Sequence, residues 1–397
     1  MITTIQTIIW GMALLILLPS TILLIECCAA LFTQHYKITS ERPKTIVVLV
    51  PAHNEANNIT QTLDSITPQL ADNDQLWVIA DNCSDNTAAI ARQSGAIVIE
   101  RENAAERGKG YALNYAIRLL ESEPPEMVVS IDADSWVEAN TIDAIARLAK
   151  QRQRPVQAPY TMKPPENPSA KDMISALAIL VKNVVRPMGL SQLGLPSLLT
   201  GSGMAFPWHI IQQAPLANSK TADDMQLSID LAISGYAPRY CSLGGVSGRL
   251  MEKSAATSQR SRWEHGHIEN LLVETPRLIQ AAFLRQQWTA IGLALELIVP
   301  PLSLLILLWG GTTSLAIAAT YFLQLTWIPI SLLGLAGFFI LIAITTSWIK
   351  FAREIIPLKT LLTIPIYLLW KIPLYFNFLI KPQSRWLKTE RDDNTFT

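Results

Sequence analysis

Asp132 and Asp134, in the run Ser130-Ile131-Asp132-Ala133-Asp134, are the side chains of this sequence best suited to a hard divalent cation. If the run continues a strand, alternate side chains share a face and both carboxylates point the same way. Such a pair holds Mg2+ or Mn2+ and leaves coordination positions for the phosphate oxygens of a substrate. Two more polar sets follow apolar runs in the same manner: His53, Asn54 and Glu55, then Asp81, Asn82 and Asp85. No GxGxxG follows the first of these runs, and neither GxxxxGKS nor GxxxxGKT occurs, so the phosphates must be held without a dinucleotide fingerprint or a P-loop. The four cysteines, Cys27, Cys28, Cys83 and Cys241, form no CxxC pair and have no histidines at zinc spacing. They read as reduced thiols in a protein facing the cytosol. His265 and His267, beside Glu264, read as polar residues of a surface or interface.

The elements that must gather these groups are legible in the hydrophobic pattern. Residues 45–55 form a β-branched apolar run closing in polar residues, and a helix-like segment follows over 58–70. Residues 76–85 repeat the strand and 86–95 the helix, stopped at Gly95; 97–101 is a third strand, 108–122 a third helix and 127–135 a fourth strand. Strand and helix in alternation predict an α/β fold with a doubly wound, mostly parallel sheet, whose ligands bind beyond the carboxyl ends of the strands. Each polar set stands at such an end, so one crevice is expected to gather them.

Charge and hydropathy divide the chain further. Its 32 basic and 32 acidic residues balance, which leaves no basic face for a nucleic-acid partner. Residues 5–32 carry Glu26 as their one charge and exceed the roughly 20 residues needed to cross a bilayer. The run also exceeds a signal-peptide core and has no basic segment before it, so it reads as a retained anchor. His35, Lys37, Arg42 and Lys44 follow it, which places the N-terminus outside and the middle of the chain in the cytoplasm. Residues 289–309 read as a second span, Gly310 and Gly311 as a turn, and 312–349 as either one long tilted helix or two crossings broken near Trp327 to Pro329. Residues 358–380 suit an interfacial or kinked helix as well as a span. The tail with Lys381, Arg385, Lys388 and Arg391 is expected in the cytoplasm. Met173 to Val185, ending at Arg186-Pro187, suggests a helix lying on the membrane near the site. The expected partition is an anchor at 1–40, a cytoplasmic domain at 41–280 and membrane or interfacial helices at 281–397, an integral inner-membrane protein.

PAHNE at 51–55, ADNCSD at 80–85, RGKGYALN at 107–114, DAD at 132–134, GSG at 201–203, TADD at 221–224 and QRSRW at 259–263 occur in this order. Together they resemble the inverting family 2 glycosyltransferases of GT-A fold, in particular the membrane synthases of cellulose, chitin and hyaluronan. The resemblance implies that Glu55 and Asp81 bind the nucleoside, Lys109 the diphosphate side, Asp132 the nucleotide-sugar and, with Asp134, the metal. It makes Asp224 the catalytic base, with Asp223 the lesser candidate, and assigns Gln259, Arg262 and Trp263 to the Q-x-x-R-W signature, where arginine approaches the diphosphate and tryptophan lies under the acceptor sugar. Gly201 to Gly203 would let backbone approach the acceptor, Gly203 closest, although a plain turn accounts for these glycines nearly as well. Two departures stand out: Ala222 replaces a frequent glutamate, and Asp81 lacks an adjacent acid.

The activity implied is transfer of a hexose or N-acetylhexosamine from a nucleotide-sugar, UDP-linked by resemblance, to a growing polysaccharide or oligosaccharide with a β linkage. The alternative is single addition to a polyprenyl-linked glycan. Expected partners are the donor, a glycan or lipid-linked acceptor, membrane lipid and, for a long product, an export partner or an oligomer.

Overall fold

The computed structural model describes residues 2–32, 37–217, 222–250 and 253–380, with residues 253–258 and 379 described by backbone alone. His35, Thr221 and the basic tail from Lys381 onward lie outside the described residues. The chain opens with α1 (Ile2–Ala29). The catalytic-side sheet is then built from β1 (Ile46–Ala52), α2 (Ile59–Ile66), β2 (Gln75–Asp81), α3 (Thr87–Gln93), β3 (Ile97–Arg101), α4 (Lys109–Leu120) and β4 (Met127–Ser130). These four strands are parallel in the order β3-β2-β1-β4, with Val50 beside Val78 and Leu49 beside Ser130. β1 and β4 are buried along most of their length because helices cover both faces, which is why their sequences are continuous apolar runs. Val48, Val50, Ile59 and Leu63 pack on one face; Val47, Leu49, Leu113 and Ile117 pack on the other. Each such side chain contributes about 1.5–3 kcal/mol on burial.

The sheet continues past β4 in mixed sense. β5 (Trp136–Val137), α5 (Thr141–Arg152), β6 (Val156–Gln157), β7 (Tyr160–Lys163), α6 (Ala170–Leu180) and α7 (Arg186–Gln192) lead to β8 (Met204–Pro207) and α8 (Trp208–Ile211). α9 (Asp223–Ile233), β9 (Arg239–Tyr240) and β10 (Val246–Arg249) follow. β8 runs antiparallel to β4, and β6 and β9 extend that edge, while β5, β10 and β7 form a small second sheet. The result is a mostly parallel α/β sheet, as the alternation predicts.

A correction concerns Asp132 and Asp134. β4 ends at Ser130, and the two aspartates lie in the turn beyond it. Strand alternation therefore does not set their direction; Ser202 Oγ fixes the loop instead, accepting a hydrogen bond from the Asp132 N–H at 3.0 Å.

The remaining helices are α10 (Lys253–Leu284), α11 (Thr289–Ile298), α12 (Leu302–Leu323), α13 (Ile328–Phe351), α14 (Leu358–Leu361) and α15 (Ile364–Ile380). Gly310 and Gly311 sit inside α12 rather than in a turn. The breaks fall at Pro300-Pro301, where prolines cannot continue a helix, and at Gln324 to Trp327, so 312–349 belongs to two helices. α1, α12, α13 and the continuous helix Ala170–Gln192, which includes a π-helical stretch at Val181–Val185, are long and apolar enough to cross a membrane. α1 packs along α7 so closely that a Cβ on Gly189 would stand 1.8 Å from the Glu26 carbonyl oxygen. Arg186 ties the same junction, pairing with the Glu26 carboxylate and donating to the Glu296 carbonyl oxygen at 2.7 Å. The four cysteines are all free.

Candidate active site

The carboxyl ends of β1, β2 and β4, the N-terminus of α9 and one face of α10 surround a cavity of about 560 Å3. Glu55, Asp81, Lys109, Asp132, Asp134, Asp224, Gln259, Arg262 and Trp263 all line it, and Asp223 joins them. The sheet thus gathers groups separated by two hundred residues, as doubly wound topology requires. Two expected members are elsewhere. Asp85 accepts hydrogen bonds from Thr87 Oγ1, the Thr87 N–H and the Ala56 N–H, which hold its carboxyl low despite burial, so it ties the start of α3 to the loop after β1 rather than lining the cavity. Gly203 lies in the sheet: its N–H donates to Ser130 O and a Cβ there would fall 2.8 Å from Val246. Gly201, with φ +100°, is the glycine on the cavity wall, where a Cβ would stand 3.4 Å from Asp224 Oδ2.

At the ends of β1 and β2, His53 Nδ1 lies 2.7 Å from Asp81 O, and Asn58 Nδ2 donates to Glu55 Oε2 at 3.1 Å. The Asp81 carboxylate accepts from Arg101 Nη1 at 2.6 Å in a buried ion pair. Arg101 supplies the stabilisation that an adjacent acid could not, and sequence reasoning missed it although it ends the third strand as the acids end the others.

At the centre, the Lys109 ammonium contacts Asp132 and donates to Gly201 O at 2.6 Å. Burial alone would lower the Lys109 pKa, but Asp132 and Asp223 outweigh it and raise it, so the lysine is a fixed cation. Asp223 and Asp224 occupy the first turn of α9. Burial, then the Asp224 charge, pushes Asp223 up to about 6. Burial likewise raises Asp224, against the opposing field of Lys182. The Asp223 Oδ1 accepts from the Asp224 N–H at 3.1 Å and Asp224 Oδ1 from the Met225 N–H at 2.8 Å, leaving Asp224 Oδ2 toward Gly201. Tyr160, buried beside Asp132 and Asp134, is held neutral and is a further cavity residue that the pattern did not reveal.

Among the described residues no group of three or more His, Cys, Asp or Glu side chains is arranged to hold a metal unaided. A two-carboxylate site of Asp132 and Asp134 fits a Mg2+ or Mn2+ ion that draws its other oxygens from substrate phosphates and water. Of the surface or interface reading of His265 and His267, the surface alternative fails, for both are buried between helices: His265 Nε2 lies 3.0 Å from Leu374 O, and His267 Nε2 lies 3.4 Å from Leu297 O.

The mostly parallel sheet with a carboxylate-rich cavity at its strand ends has the GT-A fold of glycosyltransferases. The chain belongs to glycosyl transferase family group 2, which it matches over residues 127–379, and residues 47–180 match glycosyl transferase family 2. It is similar in fold to a mannosyltransferase from Pyrobaculum calidifontis solved in complex with GDP-Man and Mn2+, at 19% identity and TM-score 0.54 over 86% of this chain and 99% of that one. A glucosyl-3-phosphoglycerate synthase of Mycobacterium tuberculosis is 40% identical over 98 residues, 23% of this chain and 29% of the relative. A low-salt glycan biosynthesis hexosyltransferase of Haloferax volcanii is 34% identical over 87 residues, 21% of this chain and 20% of that protein. The matched segments thus span under a third of the length of these curated relatives.

Proposed function

We propose that the protein is an integral-membrane transferase that moves a hexose from a nucleotide-sugar to a growing glycan, with inversion at the anomeric carbon. The observation that carries this is the convergence of Asp132, Asp134, Lys109, Asp224 and Arg262 on one cavity. The hexose chemistry in the relatives' names supports a hexosyl rather than an N-acetylhexosaminyl donor. Glu55 and Asp81 receive the nucleoside, and Lys109 and Arg262 stand where negative charge grows on the departing diphosphate. When bound, Mg2+ or Mn2+ on Asp132 and Asp134 supplies further neutralisation of that charge. The acceptor hydroxyl attacks the anomeric carbon as its proton passes to Asp224 Oδ2; the bond from that carbon to the diphosphate oxygen breaks, and the electron pair leaves with the nucleoside diphosphate. One in-line displacement turns an α-linked donor into a β-linked product. Gln259 and Trp263 border the acceptor side of the cavity. Gly203 acts through the sheet rather than by contact.

Three crossings, α1, α12 and α13, fit this reading. The helix Ala170–Gln192 is flanked by β7 and β8, and a single crossing there would place strands of one domain on opposite sides of the bilayer. Lys37, Arg42 and Lys44 after α1, and Lys350, Arg353 and Lys359 around the end of α13, support a catalytic domain in the cytoplasm and an N-terminus outside.

Single addition to a lipid-linked acceptor is the second reading, favoured by Leu23, Val299 and Leu302, apolar residues that line the same cavity. The test is release of nucleoside diphosphate from a panel of UDP- and GDP-hexoses by the full chain in nanodiscs with Mn2+. Release that yields a product ladder supports repeated addition; a single adduct formed on lipid-linked acceptor supports the second reading. Undiminished release by both Asp224→Asn and Asp134→Ala overturns the site.

A further inference from the structure

The cavity that holds Asp224 continues beyond the catalytic residues. Its deeper wall includes Leu23 of α1, Ile179 and Val181 of the Ala170–Gln192 helix, and Val299, Pro301 and Leu302 at the head of α12. α1 and α12 are both apolar and long enough to cross a membrane, so one end of the cavity is built from the helices nearest lipid. The cations Lys182, Arg186, Arg260 and Lys371 stand along this wall. Arg186 is paired with Glu26, Arg260 with Asp172, and Lys371 with Glu264. Lys182 is half-buried in the π-helical stretch and, among the described residues, has no ion pair within 4.0 Å. The strongest charge acting on it is that of Asp224.

A cation in partly dry surroundings calls for an anion, and among the described residues none stands at contact distance. A second group points the same way. His267 is 2% exposed and lines the cavity; its Nε2 lies 3.4 Å from the Leu297 carbonyl oxygen, and among the described residues Nδ1 makes no hydrogen bond. Burial, reinforced by Lys182 and Arg186, lowers its pKa well below the ordinary imidazole range, so Nδ1 is an acceptor for a ligand hydroxyl.

We propose that Lys182 binds a phosphate group on the acceptor, a phosphorylated lipid whose chain lies along the apolar wall while its hydroxyl-bearing head reaches Asp224 and His267. This rests on the glycosyl-transfer reading of the site and adds the acceptor's chemical class. Lys182 is also the only charge in the apolar run 173–185, a signal available in the sequence but without a partner to give it meaning.

The experiment uses the full chain in nanodiscs of zwitterionic lipid with Mn2+ and the preferred donor, and three acceptors: a polyisoprenyl phosphate bearing a sugar, an uncharged alkyl glucoside, and water-soluble 3-phosphoglycerate. Lys182→Met is expected to raise the KM for the phosphorylated lipid about tenfold or more, the value of one lost charge-assisted contact, and Lys182→Arg to restore most of it. The KM for the alkyl glucoside is expected to stay within about twofold, since that acceptor lacks the anion. Lys182-dependent use of 3-phosphoglycerate in place of the lipid overturns the lipid as the carrier of the phosphate. An equal fall in kcat with charged and uncharged acceptors, or a shifted acidic limb of the pH profile with KM unchanged, overturns the proposal, because Lys182 then acts on Asp224 alone. Binding of labelled nucleotide-sugar is measured beside these assays. A wild-type chain that binds none sinks the transferase reading itself, whereas retained donor binding with a Lys182-independent acceptor KM sinks only this inference.

Discussion

Asp224 and Asp223 share the first turn of α9, and in the proposed reaction their mutual repulsion sets a pH requirement. A base must have lost its proton before it can accept one, so activity rises as pH climbs through the pair's last ionisation. With Asp223 raised to about 6, kcat/KM is expected to fall on the acid side with a midpoint near there. Asp223→Asn removes the like charge and is expected to move that midpoint downward; an unmoved limb assigns it to another group. Asp224→Asn keeps shape and loses the proton acceptor, so a rate loss of about 100-fold or more is expected while nucleotide binding, read by calorimetry, persists. Of these residues, the acids were legible because their types and spacing announce chemistry. Arg101 and Tyr160 were not, because an arginine ending a strand and a tyrosine in a short β segment are ordinary until the fold sets them beside Asp81 and Asp132.

Two junctions decide how the elements hold the site. In the first, α15 closes on α10: the Glu264 carboxylate, next to Trp263, receives both the Lys371 ammonium and the Tyr375 hydroxyl, and Tyr375 in turn lies 2.6 Å from Ser303 Oγ. Tyr375→Phe is expected to cost about 1–2 kcal/mol by leaving a part-buried acceptor short of a donor, read as a lower unfolding midpoint in detergent. In the second, Arg186 joins α7 to Glu26 of α1. Arg186→Leu strands a buried carboxylate and is expected to destabilise by about 3–5 kcal/mol, with the added change Glu26→Gln recovering part of the loss. If the single and double variants melt alike, the pair is not what binds the anchor to the catalytic side. Helix boundaries were partly legible: prolines 300 and 301 mark a true break, but Gly310-Gly311 in an all-apolar run does not, because glycine, unlike proline, keeps the N–H that continues the helix and here merely faces open space.

Taken whole, the molecule is a catalytic sheet seated on an apolar helical bundle, with one cavity shared between them. Its topology is open to a direct check. In a background lacking the four native cysteines, Thr326→Cys, exposed between α12 and α13, is expected to react with a membrane-impermeant maleimide on intact cells. Asn57→Cys, exposed beside α2, is expected to react only after permeabilisation; the opposite pattern inverts the orientation. The sequence by itself determined the α/β alternation, the family, the apolar helices and most of the acids, because periodicity and reactive residue types are local properties of the chain. Tertiary structure alone decided that Asp85 bonds the start of α3, that Gly203 bonds to β4 at the entry to β8 and that His265 and His267 are buried. It also decided that Lys182 and Asp224 line one cavity, since these depend on which distant segments meet, and no local pattern encodes that.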